Sequence, residues 1–177
     1  HAIFANTKAQ RGKLLSYKLI HSYSMSELDS VWKATKIKKF MAKINNPVDV
    51  YEVIYETAWF DGTPLEASGI FFLPREKGKE FPMICYHHGT QVQKNRKIMF
   101  AGEQSICTAF SASGYMVAFP DYIGLGGGKK THLYLHIETE ATASIDLLRA
   151  VKELIVKEDV KQNKYLCFSC WFCINTS

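Results

Sequence analysis

Three short segments, residues 82–86, 115–119 and 165–172, constrain this chain more than any other part of it. Each is almost continuously apolar or aromatic rather than alternating. That is the pattern of strands covered on both faces, as in a parallel sheet. Helical periodicity separates them. Ile137, Ala141, Ile145, Leu148, Val151 and Ile155 recur at steps of four and three, which predicts a helix over 137–157 with that stripe turned to the core. A second helix is predicted over 98–112, stopped by Ser113-Gly114. Ahead of these lie two stretches rich in β-branched and aromatic residues, Val50 to Trp59 and Ala67 to Leu73. The turn residues Asp61-Gly62-Thr63-Pro64 join them into an expected hairpin. Alternating strands and helices after a hairpin predict an α/β fold. Its sheet is expected to be mostly parallel, with an N-terminal antiparallel hairpin.

The first 49 residues differ in character from the rest. They hold nine Lys or Arg and three Asp or Glu, whereas residues 50–177 are nearly balanced. The expected organisation is therefore a basic helical extension over 1–49 and an α/β unit over 50–177. A helix is predicted over 24–46. Ser24 with Glu27 forms a capping-box start, and Asn45-Asn46-Pro47 ends it. Leu28, Val31, Trp32, Ile37, Phe40, Met41 and Ile44 fall roughly on one face, with lysines over much of the rest. Such a helix is expected to pack on the domain, and its basic face allows contact with a membrane surface through 24–46. The main body carries no basic stripe to neutralise phosphates, so nucleic acid is not an expected partner.

Cysteine usage excludes a small disulfide scaffold. The five cysteines are an odd number, and three of them, Cys167, Cys170 and Cys173, crowd the last eleven residues. The start at His1, without Met or a signal pattern, reads as a processed or cut end.

In an open α/β sheet, ligands bind beyond the carboxyl ends of the strands. Two segments fall there: His87-His88-Gly89-Thr90-Gln91 and Asp121-Tyr122-Ile123-Gly124-Leu125-Gly126. A glycine after a buried strand lets the chain turn sharply, so that the next N–H groups face a crevice and can stabilise an oxyanion. Gly62, "ASGIFFLP" at 67–74, "YHHGTQ" at 86–91, "GYMVAFPDYIGLG" at 114–126, "HLYLH" at 132–136 and "ASIDLLRA" at 143–150 occur in an order that resembles the α/β-hydrolase superfamily. The similarity is greatest to secretory lipases and esterases and their bacterial relatives, and covers about residues 12–160.

The resemblance implies ester hydrolysis through an acyl-enzyme, without metal or organic cofactor, on a small-molecule or lipid ester, in a secreted or periplasmic protein. It places an oxyanion-hole N–H on Thr90, with Gln91 beside it. It puts His88, Gly89, Asp121, Tyr122 and Tyr134 around the substrate.

One element departs from the family pattern. Where a Gly-x-Ser-x-Gly elbow is due, Ser169 is preceded two residues earlier by Cys167 and followed two residues later by Trp171. No glycine occurs after Gly128. The elbow needs small flanking residues, so nucleophile, acid and base are not assigned here. The expectation is a truncated or frame-shifted, inactive hydrolase, incomplete at its C-terminal end. The alternative is a non-catalytic protein of the same fold that binds a lipid or a partner.

Other motifs fail on spacing. Gly124 to Lys130 lacks the first glycine and the final Ser or Thr of a phosphate loop, and its glycines are read as a mobile loop near the substrate mouth. Cys167, Cys170 and Cys173 lack a fourth ligand. His132 and His136 lack the intervening Glu of a zinc-protease helix. Asp146 and Arg149, three apart on the 137–157 helix, are expected to form a local ion pair worth a few tenths of a kcal/mol.

Overall fold

A mixed six-stranded sheet forms the middle layer of the chain, in the order β1-β2-β3-β5-β4-β6. The computed structural model describes residues 10–34, 43–76, 78–89, 102–127, 130–133 and 136–169. The strands are β1 (Leu14–Tyr23), β2 (Val48–Ala58), β3 (Pro64–Pro74), β4 (Glu80–His87), β5 (Met116–Pro120) and β6 (Lys161–Ser169). The helices are α1 (Met25–Ala34), α2 (Gly102–Ala112) and α3 (Ile137–Lys157). β5, β4 and β6 run parallel. β1, β2 and β3 form an antiparallel meander, and β3 joins β5 antiparallel. The parallel half and the N-terminal hairpin are both as expected from the sequence.

The continuous apolar runs follow from cover on both faces. Consecutive strand residues point to opposite sides. Phe71 and Ala118 enter one core with Tyr55, Met83 and Leu147, under α3. Phe72 and Val117 enter the other, with Leu28 of α1 and Cys107 of α2.

Three elements differ from the sequence reading. β1, which the sequence reading does not contain, pairs along β2 and has register irregularities between Leu14 and Ser16 and between Leu19 and His21. These bulges break the period-two alternation that would have marked a strand. The helix expected over 24–46 begins as predicted: the Glu27 N–H donates to Ser24 Oγ, and the Ser24 N–H to Glu27 Oε2. Residues 43–47 are not helical, however, and the Asn45 and Asn46 N–H groups donate to the Ala112 carbonyl. Residues 35–42 lie outside the described residues. Leu28 packs in a core with strand residues and Trp32 is buried, so the apolar face of α1 is used by the fold.

The boundaries of α3 match the prediction, and its face does in part: Val151 and Ile155 of the expected stripe are buried, and Leu148 packs partly against the same core. Ile137 and Ile145 are 76% and 47% exposed, whereas Ala143, Leu147, Ala150 and Leu154 are fully buried. The helix sits close to the sheet at Gly69, where a Cβ would lie 2.7 Å from Leu147 Cδ2. Tyr55 Oη donates to the Ala143 carbonyl at 2.8 Å. Ala143, Ala150 and this hydrogen bond accompany the close approach, while Leu147, Val151 and Leu154 fill the core beneath the helix.

Asp146 pairs with Arg149 as expected, but the pair is part of a larger cluster. Its carboxylate is fully buried, and accepts from Arg149 Nη1 at 2.7 Å, Thr57 Oγ1 at 2.8 Å and Arg11 Nε at 3.0 Å. It joins the N-terminal segment, β2 and α3 rather than decorating a surface. Gly12, at φ 81°, makes this possible, because any Cβ there would collide with the Arg149 side chain.

Candidate functional site

The carboxyl ends of β4 and β5 lie side by side, and the segments that leave them meet in space. His87 closes β4 opposite Ser169 of β6 in the parallel register. Being adjacent, His87 and His88 turn to opposite faces of the sheet. His87 reaches toward α3, with Nδ1 3.5 Å from Ser144 Oγ and 3.5 Å from Tyr122 Oη, the outer limit of hydrogen bonding. Burial lowers the pKa of His87, with a smaller push from His88, which favours a neutral imidazole. His88 is buried and packs on Tyr122 and Phe119, at ring-centroid distances of 4.4 and 5.2 Å. Its Nδ1 lies 2.7 Å from the Gly89 carbonyl.

Gly89 is held from the other side. Its N–H donates to Glu103 Oε1 at 3.2 Å, and Tyr86 Oη donates to the same oxygen at 3.3 Å. Glu103 stands in the first turn of α2, where a carboxylate is also favoured by the helix dipole. The sequence reading missed this residue, because a helix predicted from residue 98 leaves Glu103 with no helix-start signal.

Asp121 and Tyr122 form the second wall. Asp121 is buried, and Oδ2 accepts from Ser68 Oγ at 2.6 Å, while Ser68 Oγ accepts from the Gly127 N–H at 2.9 Å. The glycine-rich loop is therefore pinned to β3 through Ser68. A Cβ on Gly126 would collide with Asp121, and one on Gly124 with the His132 backbone. Tyr122 holds φ at 64°, a costly conformation for a non-glycine residue. It is buried beneath His88, and Tyr122 Oη also lies 3.5 Å from the His88 carbonyl.

The structure thus brings His88, Gly89, Asp121 and Tyr122 together. Thr90, Gln91 and Tyr134 lie outside the described residues, as do Cys170 and Cys173. His132 and His136 do not share a helix face: His132 Nδ1 is 2.9 Å from the Ile123 carbonyl, and His136 caps α3. No group of three His, Cys, Asp or Glu among the described residues could hold a metal ion. No helix among them is long and apolar enough to cross a membrane.

Chemically, the arrangement clamps a strand-ending His-His-Gly turn between Glu103, Tyr122 and Phe119. This sheet, its crossings and its strand-end site define an α/β-hydrolase-like fold covering the N-terminal part of such a domain. Among solved structures, a protein from Legionella pneumophila assigned as a hydrolase aligns with a TM-score of 0.77 and 29% identity, over 89% of this chain and 43% of its own. The rice cell wall degrading esterase LipA from Xanthomonas oryzae aligns with a TM-score of 0.75 and 23% identity, over 90% of this chain and 42% of its own. Candida antarctica lipase A aligns with a TM-score of 0.54 and 12% identity, over 82% and 32%. The chain therefore spans less than half the length of these structures. No family model matches it, and no curated protein matches it.

Proposed function

We propose that this chain supplies the oxyanion-side half of a carboxylic-ester hydrolase of the lipase and esterase class, acting on a small-molecule or lipid ester in a secreted or periplasmic setting. The observation that carries the proposal is the rigid His88-Gly89 turn at the carboxyl end of β4, held by Glu103 and stacked on Tyr122. A support of this kind is what an oxyanion donor on the next residue, Thr90, requires. Preorganised donors cost no reorganisation when charge develops. The fold neighbours support the class of reaction; the residues assigned to it here are this chain's own.

The complete gene product is assayed with a short activated ester and labelled with a fluorophosphonate. Hydrolysis and labelling are expected. Thr90→Pro removes the N–H donor and is expected to lower kcat by about 10²–10³-fold. Thr90→Ala keeps the N–H and is expected to cost much less. Absence of both hydrolysis and labelling would overturn the hydrolase reading. Equal rates in the two variants, at equal stability, would remove the oxyanion assignment.

A further inference from the structure

A second concavity lies apart from the His88-Gly89 turn, between the β2–β3 turn and the first turns of α3. It is a cavity of about 310 Å³ whose lining includes Arg11, Trp59, Phe60, Glu138 and Thr142. Its aromatic wall is open. Phe60 is 60% exposed, and its ring lies 5.2 Å from that of Trp59. Lys130 Nζ stands 5.9 Å from the Trp59 ring centroid.

The polar groups are equally distinctive. Arg11 is fixed through Nε to the buried Asp146 carboxylate. Its two Nη groups, like the Glu138 carboxylate, have no hydrogen-bond or ion-pair partner among the described residues. Arg11 and Glu138 line one cavity, yet they do not pair with each other. The cavity therefore offers forked donors and a carboxylate acceptor with space between them.

These features select a class of ligand. An anion would face Glu138, and a cation would face Arg11 and Lys130. A neutral polyhydroxylated ring satisfies both, because each hydroxyl donates to the carboxylate or accepts from the guanidinium. Its C–H face can lie against the exposed Phe60 ring and the half-buried Trp59 ring, which are apolar on their faces. The volume sits at the lower end of the ~300–1,000 Å³ typical of small-molecule sites, which suits one or two sugar rings.

We infer that this cavity is a saccharide-binding site, in which Trp59 and Phe60 carry a sugar ring and Arg11 and Glu138 hold its hydroxyls. The inference does not rest on ester hydrolysis, because it is tested by binding alone. Methyl glucoside, cellobiose and xylobiose are titrated against the protein by saturation-transfer NMR, and the Trp59 indole N–H shift is followed in parallel. Benzoate and choline serve as charged probes. Saturable binding of at least one neutral saccharide is expected, with Trp59 shifting and neither charged probe competing.

Phe60→Ala and Glu138→Gln are each expected to weaken that binding by about 10-fold, the scale of one lost aromatic or hydrogen-bonding contact. Phe60 is exposed, so its variant should melt as the parent does. Failure of all three saccharides to saturate would overturn the inference. So would benzoate or choline binding as tightly, or unchanged affinity in both variants.

Discussion

Removing the two arginines from Asp146 one at a time and then together should cost far more jointly than separately. The Asp146 carboxylate is fully buried, while the Arg11 and Arg149 side chains are 40% and 51% exposed. Arg11→Met leaves the carboxylate paired with Arg149 and Thr57, and Arg149→Met leaves it with Arg11 and Thr57. Methionine also preserves most of the stem packing, which matters where Arg149 runs beneath Gly12. Each single change therefore removes one charge-assisted hydrogen bond from a half-exposed donor. After discounting for solvent, that is about 1 kcal/mol.

The double change leaves a buried carboxylate with a hydroxyl as its remaining partner among the groups named, which costs about 3–5 kcal/mol. The coupling should thus exceed about 1 kcal/mol. The assay is urea denaturation of the four proteins, followed by tryptophan fluorescence and analysed with a common denaturant slope. A second cycle on an Asp146→Asn background should lose the coupling, since no charge remains to be stranded. Additivity within about 0.5 kcal/mol on the parent background would refute the reasoning, and would reduce Asp146 to the local ion pair that its sequence spacing suggests.

The lowered pKa of His87 sets a pH dependence of known sign. The unfolded chain holds that proton more tightly, so the contribution to stability is full above the ordinary histidine range and is lost as pH falls toward the folded-state pKa. His87→Gln should flatten the drop in urea midpoint below about pH 6.5; an unchanged drop would mean that other groups cause it. Gly126→Ala would drive a Cβ into Asp121 and Ser68 at a positive φ. A fall in stability of about 1–3 kcal/mol is expected by chemical denaturation, and an unaltered midpoint would show the loop free to move. Glu103→Gln keeps an acceptor near Gly89, whereas Glu103→Ala strands that N–H; only the second should markedly slow ester hydrolysis by the complete gene product.

The sheet was legible because its central strands are buried on both faces, and continuous apolar runs record that directly. β1 was not, because two register irregularities and an exposed outer face disguise its alternation. Hydrophobic periodicity located both ends of α3 but only part of its buried face: Val151 and Ile155 are buried, whereas Ile137 and Ile145 are exposed. That face also holds Thr139, Ser144 and Asp146, polar residues that an apolar stripe passes over, and two partners of Asp146, Thr57 and Arg11, lie far away in sequence. The same limit applies at the site. His88-Gly89 and Asp121-Tyr122 could be placed at strand ends by topology, but their clamps, Glu103 and Ser68, carry no local pattern.

The Arg11–Asp146 contact joins residues 135 positions apart. During synthesis, Arg11 emerges long before its partner, whereas the β1–β2–β3 meander can close from neighbouring segments alone. Contacts of such separation pay their loop-closure entropy before any reward, which places the Asp146 cluster among the last to assemble. Interactions absent from the folding transition state act on escape from the native state rather than on the rate of reaching it. The cluster is therefore a kinetic lock: weakening it should shorten the lifetime of the folded chain while leaving its speed of formation almost untouched.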